Sequence, residues 1–370
     1  MMLDLAIGVD KIVMGLANDR RRHSVVQPGF DVQMKPFGFQ WHITNYCNLR
    51  CKHCYQNEFT KKEDLDTETT KLIIKKIADA LKDRKLSINI TGGEPVLRED
   101  IFEILEYISL FNNIKELYII TNAIPLDKNR INKLKKLSKL KALKISLEGS
   151  HPEINDSLRG KATFKKVLQN IELLKKSSMD IILMFTLGSY NYHDLVQMLQ
   201  FSKSSEAAAV IIERFVPLGQ GQALKDCYLK RNEWLDVIKW VISYYGLDVS
   251  PHDLLPYKAF WIELKNEKEV KGALCNLGDE SMALMPNGDI YPCRRLPTKI
   301  GNILKDDFNE ILLRLKILRE SFDKNLKGRC HDCVIPGCIG CRANAYSLTD
   351  DFYAEDQQCF LDLLALPLEN

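Results

Sequence analysis

The chain of 370 residues is 45% hydrophobic and sets 52 Lys and Arg against 49 Asp and Glu, a net charge of +3. That length holds one large domain and a smaller one, and that apolar content excludes a disordered chain. The near-balance of charge makes no case for a nucleic-acid partner. No run approaches the roughly 20 uninterrupted apolar residues of a membrane span. The opening segment MMLDLAIGVDKIVMGLANDRRRH lacks a basic n-region and a signal cleavage pattern, so a cytoplasmic protein is expected. Eleven cysteines without an export signal point to metal ligation rather than disulfides, because the cytosol keeps thiols reduced.

Residues 1–38 are too few for a sizeable independent domain, and a helical or irregular N-terminal extension is expected there. Over 39–245, β-rich runs alternate with amphipathic stretches, the pattern of repeated βα units on a parallel sheet. Strands are predicted at 39–44, 86–91, 116–121, 142–148, 180–186 and 208–215. Their nearly continuous apolar character suits strands covered on both faces. Helices are predicted at 67–81, 100–110, 128–137, 163–176 and 194–202, with Asp or Asn near several starts as N-caps. Six units fall short of the eight of a closed barrel. The expected fold is therefore α/β, a partial (β/α)6 TIM-like barrel. Residues 246–274 read as a linker past the barrel opening, and 275–370 as a small Cys-rich C-terminal domain.

Barrels of this kind carry their chemistry on loops after the strands, and each strand here is followed by a distinctive segment. After the first comes Cys47-Asn48-Leu49-Arg50-Cys51-Lys52-His53-Cys54-Tyr55, a C-x3-C-x2-C spacing. Cubane clusters normally take four cysteines. A compact loop offering three, with no further Cys before Cys227, leaves one iron open. The alternative is a structural zinc ion with a fourth ligand such as His42 or His53. After the second strand comes Thr91-Gly92-Gly93-Glu94-Pro95. Paired glycines let backbone approach a ligand closely, and a carboxylate at a strand end accepts hydrogen bonds from an ammonium group. The alternative is an ordinary glycine turn.

The third strand ends at Thr121-Asn122-Ala123 and the fourth at Ser146-Leu147-Glu148-Gly149, with Asp156 and Arg159 shortly after. An Arg fork suits a carboxylate, with Asp156 as the competing partner of Arg159. The sixth strand runs into Glu213-Arg214-Phe215-Val216-Pro217, two charges in a stretch that is otherwise core. One of them is expected to face the active site. An ion pair to a neighbouring strand or helix is the competing reading.

The cysteine loop, the aromatic Tyr55 after it and the segments at successive strand ends together resemble the radical S-adenosylmethionine (SAM) superfamily, whose core is a six-unit partial barrel. The resemblance implies a [4Fe-4S] cluster on Cys47, Cys51 and Cys54, its open iron chelating the amino and carboxylate groups of SAM. Reductive cleavage then gives a 5′-deoxyadenosyl radical that abstracts hydrogen from the substrate. It further implies that Gly92, Gly93, Glu94 and Pro95 bind the methionine amino group and that Ser146 and Arg159 hold the carboxylate. Asn122 would lie near the ribose, and Glu148 would face the sugar or the substrate. His42 and His53 become surroundings of the cluster or surface residues.

Seven more cysteines follow within about 85 residues. They run C-x12-G-x4-C from Cys275 through Gly288 to Cys293, then Cys330, Cys333, Cys338, Cys341 and Cys359. Two zinc sites are one reading, because C-x2-C pairs are common zinc knuckles. The whole run resembles the SPASM extension, which binds one or two auxiliary iron–sulfur clusters. The implied ligands are Cys275, Cys293 and Cys341 for the first cluster, and Cys330, Cys333, Cys338 and Cys359 for the second. A fourth ligand of the first would come from near Asp279 or Glu280, from substrate, or not at all.

SPASM proteins mature peptides and proteins, and some modify tetrapyrroles. Where sulfatase-maturing members place a basic Asp after the Cys matching Cys293, this chain has Arg294-Arg295, which argues against formylglycine formation. Arg294 thus joins Glu213 and Arg214 as a candidate catalytic residue. Tyr55-Gln56 and the segments 146–149 and 292–295 favour a ribosomally made peptide or protein as substrate, with a crosslink or thioether as the product. Electrons would come from a donor such as flavodoxin or ferredoxin. The run from Gly340 to Tyr346, with Ala354-Glu355-Asp356, also resembles haem-pathway members and keeps a tetrapyrrole as the alternative. A non-catalytic zinc-bound interaction protein accounts for the cysteines, but not for Gly92–Pro95, Asn122 and Ser146 following successive strands.

Overall fold

The computed structural model describes residues 9–12 (backbone), 36–265, 269–273, 275, 277–278 and 280–364. Six strands form its centre: β2 (Phe37–His42), β3 (Leu86–Thr91), β4 (Ile114–Thr121), β5 (Leu140–Ser146), β6 (Ile181–Leu187) and β7 (Ala209–Arg214). They lie side by side in chain order and pair in parallel throughout. Helices α1 (Thr67–Ala80), α2 (Ile101–Ser109), α3 (Lys128–Leu134), α4 (Pro152–Arg159), α5 (Thr163–Lys176) and α6 (Leu195–Ser204) make the crossovers, and α7 (Arg231–Tyr245) follows β7. The expected six-unit partial barrel is what forms, as an open sheet.

The sheet continues past both ends of this centre. β8 (Ala259–Glu263), β9 (Val270–Ala273) and β1 (Val9–Ile12) add antiparallel strands beyond β7. On the other side β10 (Ser281–Leu284) pairs in parallel with β2, and β11 (Asp289–Tyr291) and β12 (Gly301–Asn302) extend it antiparallel. Two expectations change here. The segment 246–274, read as a linker, contains two strands of the sheet, and the N-terminal extension contains an edge strand; most of 1–38 lies outside the described residues. Among the described residues no helix is long and apolar enough to cross a membrane.

Strand alternation decides what each face meets. Leu117 and Ile119, Leu143 and Ile145, Leu183 and Phe185, and Val210 and Ile212 point outward and share one core with Ile73 and Ile77 of α1, Ile104 and Ile108 of α2, Val167 and Ile171 of α5 and Ile238 of α7. The helices present these positions at 3–4 residue spacing, with α1 started by Asp66, whose carboxylate accepts from Thr69 N–H at 2.7 Å. The alternate residues Ile120, Ala142, Ile182, Met184 and Ile211 point inward and share a second core with Leu277, Cys293, Leu296, Phe322, Ile339 and Cys341. The Cys-rich segment therefore covers the inner face of the sheet. Long helix α8 (Phe308–Asn325) is part of that cover, capped by Asp307 and facing α1.

The cover is locked to the barrel at the end of β7. Arg214 shares the outward parity of Val210 and Ile212, lies over the Trp234 ring and pairs with Asp356 at 3.3 Å, both side chains fully enclosed. Burial by itself would raise the Asp356 carboxyl, but the charges of Arg214 and Lys258 hold it down at about 2. Its Oδ2 also accepts the Cys341 N–H at 2.8 Å. Arg214→Met removes the direct partner of that buried carboxylate and leaves it the charges of Lys258 and Arg342. A loss of about 3 kcal/mol is expected, the low end for breaking one side of a buried pair, read as a lower denaturant midpoint.

Candidate active site

Inward-facing residues at the C-terminal ends of β3 to β7, the loop after β2 and a turn from the C-terminal segment enclose a cavity of about 830 Å³ that opens to solvent. Cys47, Cys51, Cys54, Tyr55, Gly92, Gly93, Asn122, Ser146, Glu148, Arg159, Glu213 and Arg294 all line it. Glu94 and Pro95 are not in its wall. The inward parity of each strand brings these positions together.

The glycines hold the cysteine loop in place. Gly93 N–H donates to Thr44 O and Glu94 N–H to Tyr46 O, each at 2.8 Å. A Cβ on Gly93 would sit 2.2 Å from Tyr46 O, and one on Gly92, whose φ is +136°, would sit 2.4 Å from Thr44 O. Only glycine permits this approach. Asn122 Nδ2 donates to Asn48 Oδ1 at 2.9 Å and lies 3.9 Å from Cys47 Sγ. Lys52 N–H donates to Leu158 O at 2.8 Å, so the far side of the loop rests on α4. The Glu94 carboxylate turns away from the cavity into the protein interior, where it accepts from Thr121 Oγ1 and Asn122 N–H at 2.7 Å each and from Val96 N–H. Burial raises it to about 7 despite those donors. Its role in this structure is to tie the ends of β3 and β4 together.

The charges around the cavity are buried and almost all paired. Glu148 meets His53 Nε2 at 3.2 Å and Arg159 at 2.9 Å through Oε1, while Oε2 accepts Thr186 N–H at 2.9 Å. Asp156, the competing partner of Arg159, instead caps the start of α5 by accepting from Ala162 and Phe164 N–H. Glu213 and Arg214 separate by parity. Glu213 faces the cavity, and Arg214 faces Asp356. Arg295 Nη2 donates to Glu213 Oε1 at 2.9 Å, and burial pushes the Glu213 carboxyl up to about 8. Glu213 thus lines the cavity and is ion-paired as well, to a turn of the C-terminal segment and not to the neighbouring strand or helix of the competing reading.

A β-turn closed by Leu296 N–H on Cys293 O at 2.9 Å presents Arg294 and Arg295 to the cavity together. Arg294 lies over the Tyr55 ring at 4.3 Å and donates through Nη1 to Thr91 Oγ1 at 2.8 Å. Tyr55 OH in turn meets His42 Nδ1 at 3.1 Å. Burial and the Arg294 charge hold His42 at about 3, a neutral imidazole. Sequence reasoning passed over Arg295 and Thr186. The available signal for Arg295 was two adjacent arginines inside a run of metal-type cysteines, where charges need buried partners.

Comparison with known proteins gives this geometry a family. The model of the radical SAM superfamily matches residues 41–202, and that of the SPASM iron–sulfur cluster-binding domain matches 275–334. The chain belongs to the radical SAM superfamily and carries a SPASM domain. The AdoMet-dependent heme synthase of Methanosarcina barkeri is 26% identical over 86% of this chain and 95% of its own length. The antilisterial bacteriocin subtilosin biosynthesis protein AlbA of Bacillus subtilis is 27% identical over 82% of this chain and 65% of its own. The solved structure of anSMEcpe with bound AdoMet and Cp18Cys peptide shares the fold, with a TM-score of 0.68 at 20% identity over 88% of this chain and 94% of that one.

The thiols fit the clusters that a radical SAM and a SPASM domain bind. Burial pushes Cys47 up to about 12 and Cys54 to about 11, and raises Cys51 as well. Such thiols become thiolates only on a metal. In the SPASM domain, Cys341 and Cys293 lie close enough to Cys275 to act on its thiol, together with Lys258, and Cys338 does so on Cys330, together with Arg342 and Asp356. Lys258 Nζ lies 3.6 Å from Cys338 Sγ, and Arg342 Nη2 lies 3.7 Å from Cys330 Sγ. Glu280 faces Arg84 at 3.8 Å, and Asp279 lies outside the described residues.

Gly93→Ala tests the clamp on the cysteine loop. The overpacking costs about 1–3 kcal/mol, and because the displaced atoms precede Cys47, cluster retention should fall with stability. Iron content after gel filtration and the thermal midpoint are both expected to drop.

Proposed function

We propose that this radical SAM enzyme modifies a ribosomally made peptide or protein bound in the cavity described above. One observation carries the reading. The three-thiol loop, the Gly92–Gly93 backbone, Asn122, Ser146 and Arg159 line a single cavity, and Arg294 and Arg295 of the SPASM domain close it. With a [4Fe-4S] cluster and SAM bound, the pair supplies reductive cleavage of a sulfonium C–S bond and hence a carbon radical able to take a substrate hydrogen.

The chain's own residues do the rest. Cys47, Cys51 and Cys54 hold the cluster, and Leu49 N–H and Asn122 steady Cys47 Sγ at 3.4 and 3.9 Å. Ser146 and Arg159 offer a hydroxyl and a guanidinium to the SAM carboxylate, with Glu148 fixing the Arg159 side chain. Asn122 offers its amide to the ribose. Leu49, Phe59, Ile120, Met184, Phe215 and Val216 make the remaining wall apolar and keep water from reactive intermediates. The SPASM cysteines run from Cys293 and Cys341 inside the core that covers the sheet to the partly buried Cys330, Cys333, Cys338 and Cys359, which would give electrons from a flavodoxin- or ferredoxin-like donor a route inward. Cytoplasmic placement is part of the proposal, on the chemistry of reduced thiols.

A tetrapyrrole substrate is the second reading. The end-to-end match to the heme synthase, over 95% of that protein, favours it, whereas the match to the bacteriocin biosynthesis protein supports the peptide. Incubation of reconstituted enzyme with SAM, reductant and either a deuterated candidate peptide or a deuterated porphyrin separates them. Deuterium is expected in 5′-deoxyadenosine from the peptide; its appearance only with the porphyrin reverses the assignment. Replacing Cys47, Cys51 and Cys54 by Ala is expected to abolish deoxyadenosine while retaining about two-thirds of the iron, at four per cubane. An active triple variant contradicts the radical reading.

A further inference from the structure

Arg294 holds more hydrogen-bonding capacity than the protein uses. Its side chain is 6% exposed, held flat over Tyr55, and bonded only through Nη1, to Thr91. The Nε and Nη2 atoms are enclosed and have no partner. Leaving a buried donor unmade costs about 1–3 kcal/mol, more for a charged group, so such a pair marks a place where a ligand completes the structure. These two atoms are not an arbitrary remainder. Nε–H and Nη2–H form one edge of the guanidinium, two parallel donors at the spacing of a carboxylate's two oxygens.

The surroundings make this edge available to a substrate. Arg294 lines the cavity, and the turn that carries it is fixed by the Cys293–Leu296 bond. Glu213, the cavity carboxylate that feels the Arg294 charge, spends Oε1 on Arg295 and Thr186, and its Oε2 is likewise buried and unpartnered. Arg295 is engaged through Nη2 by Glu213 and through Nη1 by Arg214 O. Arg159 also keeps an unpartnered Nε, but its guanidinium is already paired with Glu148. Arg294 is thus the cavity guanidinium that no anion meets, and it lies with Glu213 Oε2, a carboxyl oxygen without a donor, in the same lining.

We propose that Arg294 binds a carboxylate of the substrate through Nε–H and Nη2–H, with Glu213 Oε2 meeting a polar hydrogen of the same substrate. The enzyme then acts beside a carboxylate-bearing group. An acidic side chain or C-terminus of a peptide supplies one, and so does the propionate of a tetrapyrrole. The inference rests on the reading that the cavity admits substrate alongside SAM.

The test uses anaerobically reconstituted full-length enzyme with saturating SAM and two probe pairs followed by ligand-detected NMR. The first pair is N-acetylglutamate N-methylamide and its glutamine counterpart; the second is mesoporphyrin IX and its dimethyl ester. The acid of one pair is expected to bind at least tenfold more tightly than its neutral partner, and that pair identifies the source of the carboxylate. In R294Q the ratio falls to about one, and in R294K it is intermediate, because a single ammonium replaces a fork. Equal binding of acid and neutral probe by the wild-type protein overturns the proposal without reference to any variant. So does a preference that survives in R294Q. A preference that appears only when the binding is repeated without SAM places SAM's own carboxylate at Arg294 and overturns it too. Absence of deoxyadenosine after reductant is added to the same wild-type sample counts against the radical reading, a separate outcome from the acid-to-neutral ratio.

Discussion

A six-stranded parallel sheet has two apolar faces, and both must be removed from water. That requirement governs the placement of every functional group in this protein. Helices cover the outer face in the ordinary way of βα units. The inner face of an open barrel has no such partner, and here the Cys-rich segment supplies it through Leu277, Leu296, Phe322 and Ile339. Covering the inner face also delivers Arg294 and Arg295 into the cavity, and it buries Cys293 and Cys341 in the inner core with Cys275 packed against them. Two of the auxiliary cysteines are thus part of the barrel's own core.

Closing the inner face traps charge, and the trapped charges explain the rigidity of the site. Glu148 is shared by His53, Arg159 and the Thr186 backbone, Glu213 is held by Arg295, and Arg214 is held by Asp356. Buried pairs of this kind contribute little net stability compared with apolar packing, but each is costly to break on one side. Their effect is geometric. Arg159 cannot leave Glu148 without stranding a carboxylate, so its remaining donors stay where the cavity is. Glu94 does the same for backbone, fixing β3 to β4 through Thr121 and Asn122 so that Gly92 and Gly93 grip the cysteine loop.

Much of this was legible in the sequence, for a physical reason. Strands buried on both faces are nearly continuous apolar runs, so the six central strands were found within two residues at most of their ends. The strand β2 starts at Phe37 because Phe37 and Gly38 are as buried as the rest. Strands β8 and β9 were not found. They are five and four residues long, carry charges, and are joined by a connection without a turn signature, so although they pair with each other the local signal is weak; their outer partners, β7 and β1, lie far along the chain. Whether Glu213 or Arg214 faces the site depended on strand parity, which is settled only once the register of β7 is known. The carboxylate of Glu94 was expected to face a ligand because its motif does. Its orientation is set instead by three donors from β4 and the turn after β3.

Total iron and acid-labile sulfide in anaerobically reconstituted protein test the central claim most directly, because every argument above requires ten cysteines to hold clusters. About twelve irons with an equal amount of sulfide, at four per cubane, is the result this account predicts. Stoichiometric zinc with no sulfide would contradict it, and would turn the cavity from a site of radical chemistry into a structural feature of a zinc-bound protein.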